Sequence, residues 1–215
     1  MATLILVRHG HVEGIHPERF RGRRDIPLTV QGRRQARATA QYIAARWHPK
    51  MVYTSPLQRC VQTGREIATA CGSDFVQLED LNDLDYGTWQ WCTHEEARAK
   101  SPQLLDRWLT APHLVRFPKG ESLQDVIARV SNVIRMVLEH HSTEAVVAVG
   151  HDSGIRAMLL QLLEQPISAY WRLAHHPAAV SEVDVRSHGA RVIRINETHH
   201  LDEPFSLKRG STHER

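Results

Sequence analysis

Two stretches of this chain, Thr3-Leu4-Ile5-Leu6-Val7 and Ala145-Val146-Val147-Ala148-Val149, have no charged face on either side. Successive side chains of a strand point to opposite sides, so a strand apolar on both needs cover on both. Strands of that kind occur in parallel sheets held between helices, and the rest of the chain supplies the helices. Met51 to Thr54 and Phe75 to Leu78 read as further short strands. Thr29 caps a helix running to about Trp47, with Ala36, Ala40, Ile43, Ala44 and Trp47 on one face. Ser55 caps the next, with Pro56 in its first position and Gln58 closing a capping box. Ser122 and Asp125 open a third, striped by Leu123, Val126, Ile127, Val130, Val133 and Val137, and a fourth follows His151. Ala179 to Val185 and Arg191 to Ile195 read as an antiparallel pair turning at His188-Gly189. The expected fold class is α/β, three layers α/β/α around a mainly parallel central sheet. One domain over residues 1–201 is expected, with a small helical cover around 86–119 and a polar C-terminal tail over 202–215.

Composition narrows the partners. At 41% hydrophobic and 24% charged, a chain of 215 residues can bury its own core without disulfide or metal. No apolar run approaches the ~20 residues of a membrane span, so no membrane partner is expected. Met1-Ala2-Thr3-Leu4 lacks the basic segment of a secretion signal, and a cytoplasmic protein is the expectation. Cys60, Cys71 and Cys92 form no CxxC pair and read as free thiols. Only four of the 27 basic residues are lysine, so arginine carries the positive charge. Its planar fork holds oxyanions at every relevant pH, which points to a phosphate ligand, although codon bias gives the same excess. The basic residues are spread among carboxylates and not interleaved with aromatics, so nucleic acid is not an expected partner. The pairs His140-His141, His175-His176 and His199-His200 lack ligand spacing, and no metal or other cofactor is expected. Oligomeric state is left open by all of these features.

Three features fall just past the carboxyl ends of expected strands, where an open α/β sheet forms its binding crevice. They are Arg8-His9-Gly10 after the first strand, Arg59 after the second, and His151 after the Ala145–Val149 run. If these strands are neighbours, two guanidiniums and two imidazoles converge beside helix N-termini in a volume suited to a dianion. An imidazole among cations loses its proton readily, which leaves His9 neutral and nucleophilic toward phosphorus. Arg8, Arg59 and His151 would then stabilise charge on the transferring group, and Gly10 would allow close backbone approach.

At this point the chain resembles a known family, the histidine phosphatase superfamily with its cofactor-dependent phosphoglycerate mutases. The matching stretches run in order: Leu6-Val7-Arg8-His9-Gly10, Phe20-Arg21-Gly22, Asp25-Ile26-Pro27-Leu28-Thr29 and Gly32. Thr54-Ser55-Pro56-Leu57-Gln58-Arg59, Thr63 and Leu81-Asn82-Asp83-Leu84-Asp85-Tyr86-Gly87-Thr88-Trp89 follow. Gly120-Glu121-Ser122, Gly150-His151 and Asn196-Glu197-Thr198-His199-His200-Leu201 complete the series. Arg-His-Gly alone is a weak signal; the ordered series from residue 4 to about residue 201 is a strong one.

The resemblance implies a phosphoglycerate mutase-like fold and a phosphomonoesterase acting on a small phosphorylated metabolite. It makes His9 the residue phosphorylated in turnover, with Arg8, Arg59 and His151 as the phosphate pocket. Asp83 stands where relatives carry the acid, usually glutamate, that protonates the leaving oxygen and then activates water; Asp85 is the second candidate. Arg21 and Gly22 stand where relatives line the substrate side. A phosphoglycerate mutase is the alternative, weakened because only Tyr86 to Lys119 separates the acid from Gly120-Glu121-Ser122, a short cover against water. A catalytically silent phosphate-binding member is the other alternative. The sequence departs from the family at three places: Val12 replaces a hydroxyl residue, Ile15 an asparagine and Asp152 a glycine.

Overall fold

The computed structural model describes residues 1–186 and 188–201. Its centre is a six-stranded sheet in the order β3-β2-β4-β1-β5-β6, built from β1 (Ala2–Arg8), β2 (Met51–Thr54), β3 (Asp74–Gln77), β4 (Ala145–Gly150), β5 (Val180–Arg186) and β6 (Gly189–Glu197). The four strands from β3 to β1 pair in parallel; β5 runs antiparallel to β1, and β6 antiparallel to β5. Alternation sorts the two-sided strands as expected. Ile5, Val7, Val147 and Val149 pack toward Ala40, Ile43 and Ile67 in one buried cluster. Leu4, Leu6, Val146 and Ala148 enter a larger one with Val126, Val130 and Met158. One layer is therefore α1 (Val30–Ala44) with α2 (Gln58–Cys71), and the other contains α5 (Leu123–His140) and α6 (Asp152–Leu162). Between them in sequence lie α3 (His94–Lys100) and α4 (Pro102–Thr110), within the stretch read from the sequence as a cover.

Local signals decide most helix starts. Thr29 accepts from the Gly32 N–H at 3.1 Å and caps α1, which ends at Ala44, before Trp47. Ser122 and Asp125 open α5 as expected, and they do so through a reciprocal capping box. The expectation at α2 is corrected: the helix begins at Gln58, its N-cap is Leu57, and no side chain of the N-cap bonds back. Ser55 lies two residues before that N-cap, and its hydroxyl accepts from the Leu57 N–H at 3.3 Å and from Nε2 of His151 at 2.9 Å. Asp25, distant in sequence, takes over: its carboxylate accepts from the Gln58 backbone N–H at 2.8 Å and from the Gln58 amide at 2.9 Å. The expected tail over 202–215 lies outside the described residues.

The cover is an aromatic structure. Phe117 meets Trp108 at 5.1 Å between ring centroids, Tyr86 at 4.9 Å and Trp89 at 5.5 Å, all edge-on. Trp89, Trp108 and Phe117 are buried, so the cover has a core of its own continuous with the sheet. Edge-to-face pairs of this kind contribute about 0.5–1.5 kcal/mol each beyond area burial. No helix among the described residues is long and apolar enough to cross a membrane.

Candidate active site

Parallel pairing sets Arg8 of β1 opposite Gly150 of β4, so the next residue on each strand leaves the sheet beside the other. These residues are His9 and His151, both buried, with ring centroids 5.2 Å apart at 61°. Nδ1 of His9 lies 2.7 Å from the Gly10 carbonyl oxygen. A carbonyl only accepts, so Nδ1 carries the hydrogen and Nε2 keeps its lone pair. Burial above all, then Arg59, His151 and Arg8, holds the His9 pKa well below the ordinary imidazole range. The ring is neutral at pH 7 and its Nε2 is a competent nucleophile. Gly10 has a different reason from the one expected: a Cβ there would stand 2.5 Å from the Gly32 carbonyl oxygen of α1.

Arg59, in the first turn of α2, is fully buried. Its Nε donates to His151 Nδ1 at 3.2 Å and its Nη1 to the Arg24 carbonyl at 2.8 Å. Its Nη2 donates to the Gly22 carbonyl at 2.7 Å and to Asp83 Oδ2 at 3.2 Å. A guanidinium bond into Nδ1 leaves the His151 proton on Nε2, from which it is donated to Ser55 Oγ. Ser55 in turn donates to Asn82 at 3.4 Å, and the Asn82 amide to Glu79 at 2.6 Å. Desolvation and the surrounding arginines, Arg59 first, hold the His151 pKa well below its ordinary value. Cys60 lies against the same ring at 3.4 Å, and burial pushes its thiol pKa up, so it stays protonated.

Asp83 accepts at both oxygens: Oδ1 from Ser153 Oγ at 2.6 Å and from the Leu84 N–H at 2.9 Å, Oδ2 from Arg59. Asp85 instead accepts from the Gly87 N–H at 2.8 Å and holds a turn. His9, Asp83 and Arg21 line one cavity of about 650 Å³; Arg8, Arg59, His151 and Gly22 are not among its lining residues. Arg8 donates to the His175 carbonyl and lies 3.7 Å from Asp152. Arg21 donates to the Gly14 carbonyl at 2.7 Å. Gly22 contributes its carbonyl to Arg59 from a left-handed φ of 46°, and a Cβ there would stand 2.0 Å from the Gln90 amide oxygen.

The departures have structural explanations. Val12 and Ile15 are buried with Leu28 and Ala36 in a small third cluster that fastens the 10–28 segment to α1. Asp152 faces two cations, Arg8 at 3.7 Å and Arg156 at 3.0 Å. Sequence reasoning missed Ser153 as a partner of Asp83 and Tyr170 and Trp171 as cavity walls, and it left out Arg156, which also lines the cavity. A hydroxyl two positions past His151, in the first turn of the helix, was the available sign for Ser153. Among the described residues no group of three or more His, Cys, Asp or Glu could hold a metal ion.

A mainly parallel sheet whose carboxyl edge packs two imidazoles against a buried guanidinium and a carboxylate, with His9 and Asp83 facing one cavity, is that of a phosphate-ester enzyme. More narrowly, the chain belongs to the histidine phosphatase superfamily (branch 1), which it matches over residues 4–198. It is 34% identical over 203 residues to phosphoserine phosphatase 1 of Hydrogenobacter thermophilus, covering 94% of this chain and 96% of that one. It is 29% identical over 209 residues to a probable phosphoglycerate mutase of Yersinia enterocolitica, covering 95% and 97%. Among solved structures, YhfR of Bacillus stearothermophilus superposes with a TM-score of 0.89 at 26% identity, covering 94% of this chain and all of that one.

Proposed function

We propose that the chain is a phosphomonoesterase that hydrolyses a small phosphorylated metabolite through a covalent phosphohistidine on His9. The observation that carries this reading is the His9 ring itself, buried, neutral and tied through Nδ1 to Gly10. In the first step Nε2 attacks phosphorus and the ester P–O bond breaks. Asp83 is the acid through which a proton reaches the leaving alcohol. In the second step Asp83, now a carboxylate, takes a proton from water as its oxygen attacks phosphorus. The P–N bond breaks, the lone pair returns to Nε2, and inorganic phosphate leaves. Arg8, Arg59 and His151 stabilise charge on the equatorial oxygens, and Arg21 lies on the substrate side. Arg59 bonds to both His151 and Asp83, which couples the pocket to the acid. A cytoplasmic setting accords with three free thiols.

The test is hydrolysis of a generic aryl phosphate in the presence of chelator. Wild type should remain active and His9→Ala should lose about 10⁴-fold or more in kcat. Equal rates would remove His9 from the mechanism, and an inactive wild type that still binds phosphate would mark a silent member. The likeness to a probable mutase supports a second reading. Supplying 3-phosphoglycerate with its bisphosphate primer separates the two, since a mutase isomerises without releasing phosphate.

A further inference from the structure

Arg156 lies within α6, just past His151, and no step above uses it. Its side chain is 12% exposed, and its Nε donates to Asp152 at 3.0 Å. The guanidinium carbon stands 5.2 Å from the Tyr170 ring centroid and 5.0 Å from that of Trp171. Aromatic rings beside the guanidinium fix the group in place without using any of its N–H donors. Nη1 is enclosed, yet it has no hydrogen-bond partner. A buried charged donor left unpaired is costly, and such groups in native folds call for an explanation. Arg156, Tyr170 and Trp171 line the same cavity as His9, whose volume of about 650 Å³ is that of a pocket enclosing a whole small molecule.

We infer that Arg156 forms a second anion subsite and determines specificity: its free guanidinium edge receives a carboxylate on the substrate. The preferred substrates are then phosphomonoesters that also bear a carboxylate. This assignment rests on the phosphatase reading and adds the substrate class. A planar carboxylate matches a guanidinium that offers only its edge. A second phosphate suits the site less well. Asp152 already offsets part of the Arg156 charge, and the other arginines lining the cavity are engaged, Arg19 by the Trp91 carbonyl and Arg21 by the Gly14 carbonyl. Arg156 does not touch the phosphate in this arrangement. It acts on the far end of the substrate, so its effect belongs in KM.

A matched pair of compounds tests this. 3-Phosphoglycerate and glycerol 3-phosphate differ only in a carboxylate against a hydroxymethyl group. Wild type should favour the former by about tenfold or more in kcat/KM. Arg156→Met should lose about 10- to 100-fold on 3-phosphoglycerate, chiefly through KM, and under about threefold on glycerol 3-phosphate. Arg156→Lys, which keeps the charge and the stem but not the fork, should fall between and guards against misfolding of the methionine variant. Equal losses on both compounds would reduce Arg156 to a clamp on Asp152 and overturn the assignment, as would a wild type with no preference. If wild type hydrolyses neither compound, the phosphatase reading stands or falls on the aryl phosphate, separately from the subsite. Calorimetry on His9→Ala then decides the subsite: 3-phosphoglycerate should bind about tenfold more tightly than glycerol 3-phosphate, and adding Arg156→Met should erase the margin. Absence of any margin in His9→Ala would overturn the subsite independently of catalysis.

Discussion

The floor and the wall of the cavity are built on different principles. At the floor, His9 and Asp83, with Arg59 and His151 buried behind them, are fixed by backbone register and by hydrogen bonds with satisfied partners. At the wall, Trp108, Tyr170 and Trp171 are held by ring edges, and a guanidinium beside two of those rings keeps an unpaired donor. A floor of this kind has one arrangement, since moving any member leaves buried polar groups unpaired. A wall of packed rings tolerates change in shape at constant volume. The chemistry is thereby kept separate from the choice of substrate.

The sharpest way to break this contrast is Arg59→Gln. It leaves the Gly22 and Arg24 carbonyls and His151 Nδ1 without a donor, and kcat/KM for an aryl phosphate should fall about 10³-fold with a lowered melting temperature. Trp108→Ala should do the opposite: a loss of about 3–5 kcal/mol in stability by urea unfolding, but under about tenfold in aryl-phosphate kcat. A large catalytic loss there would erase the distinction between floor and wall. Acid should act on the floor. The folded pKa values of His9, His151 and His175 lie below their unfolded values, that of His175 at about 3. The unfolded chain therefore takes up protons first as pH falls, so stability is full above about pH 6.5 and declines below it. Each ring contributes a slope of about 1.4 kcal/mol per pH unit in that window. His175→Gln should flatten the profile by one such contribution, measured by urea unfolding between pH 7 and 5. Ser122→Ala, outside the cavity lining, should cost only about 1 kcal/mol through the lost α5 cap, with kinetics unchanged.

The same contrast explains what was legible in the sequence. His9 and His151 each directly follow a strand, so a correct reading of two strands places two imidazoles together. Helix signals at Thr29 and Ser122 are local and held. Ser55 misled because one hydroxyl suits a helix cap and an imidazole equally, and its deciding partner lies 96 residues on. The cavity wall gave no local sign. Trp108 reaches Trp171, and Arg156 reaches both Tyr170 and Trp171, across separations that neither periodicity nor capping rules address. The resemblance ranks Asp83 ahead of Asp85, two positions on, and what differs in the structure is their hydrogen bonds: Asp83 meets Arg59 and Ser153, Asp85 the N–H of a turn.

The carboxylate of Asp25 at the start of α2 has one further consequence. Residues 22 and 24 supply carbonyls to Arg59, and the next residue, Asp25, ties the same loop to the helix from which Arg59 projects. Loop and guanidinium form one mechanical unit. Whatever draws that cation toward an incoming ligand strains the loop, and whatever lifts the loop releases the cation, with equal energy in either direction.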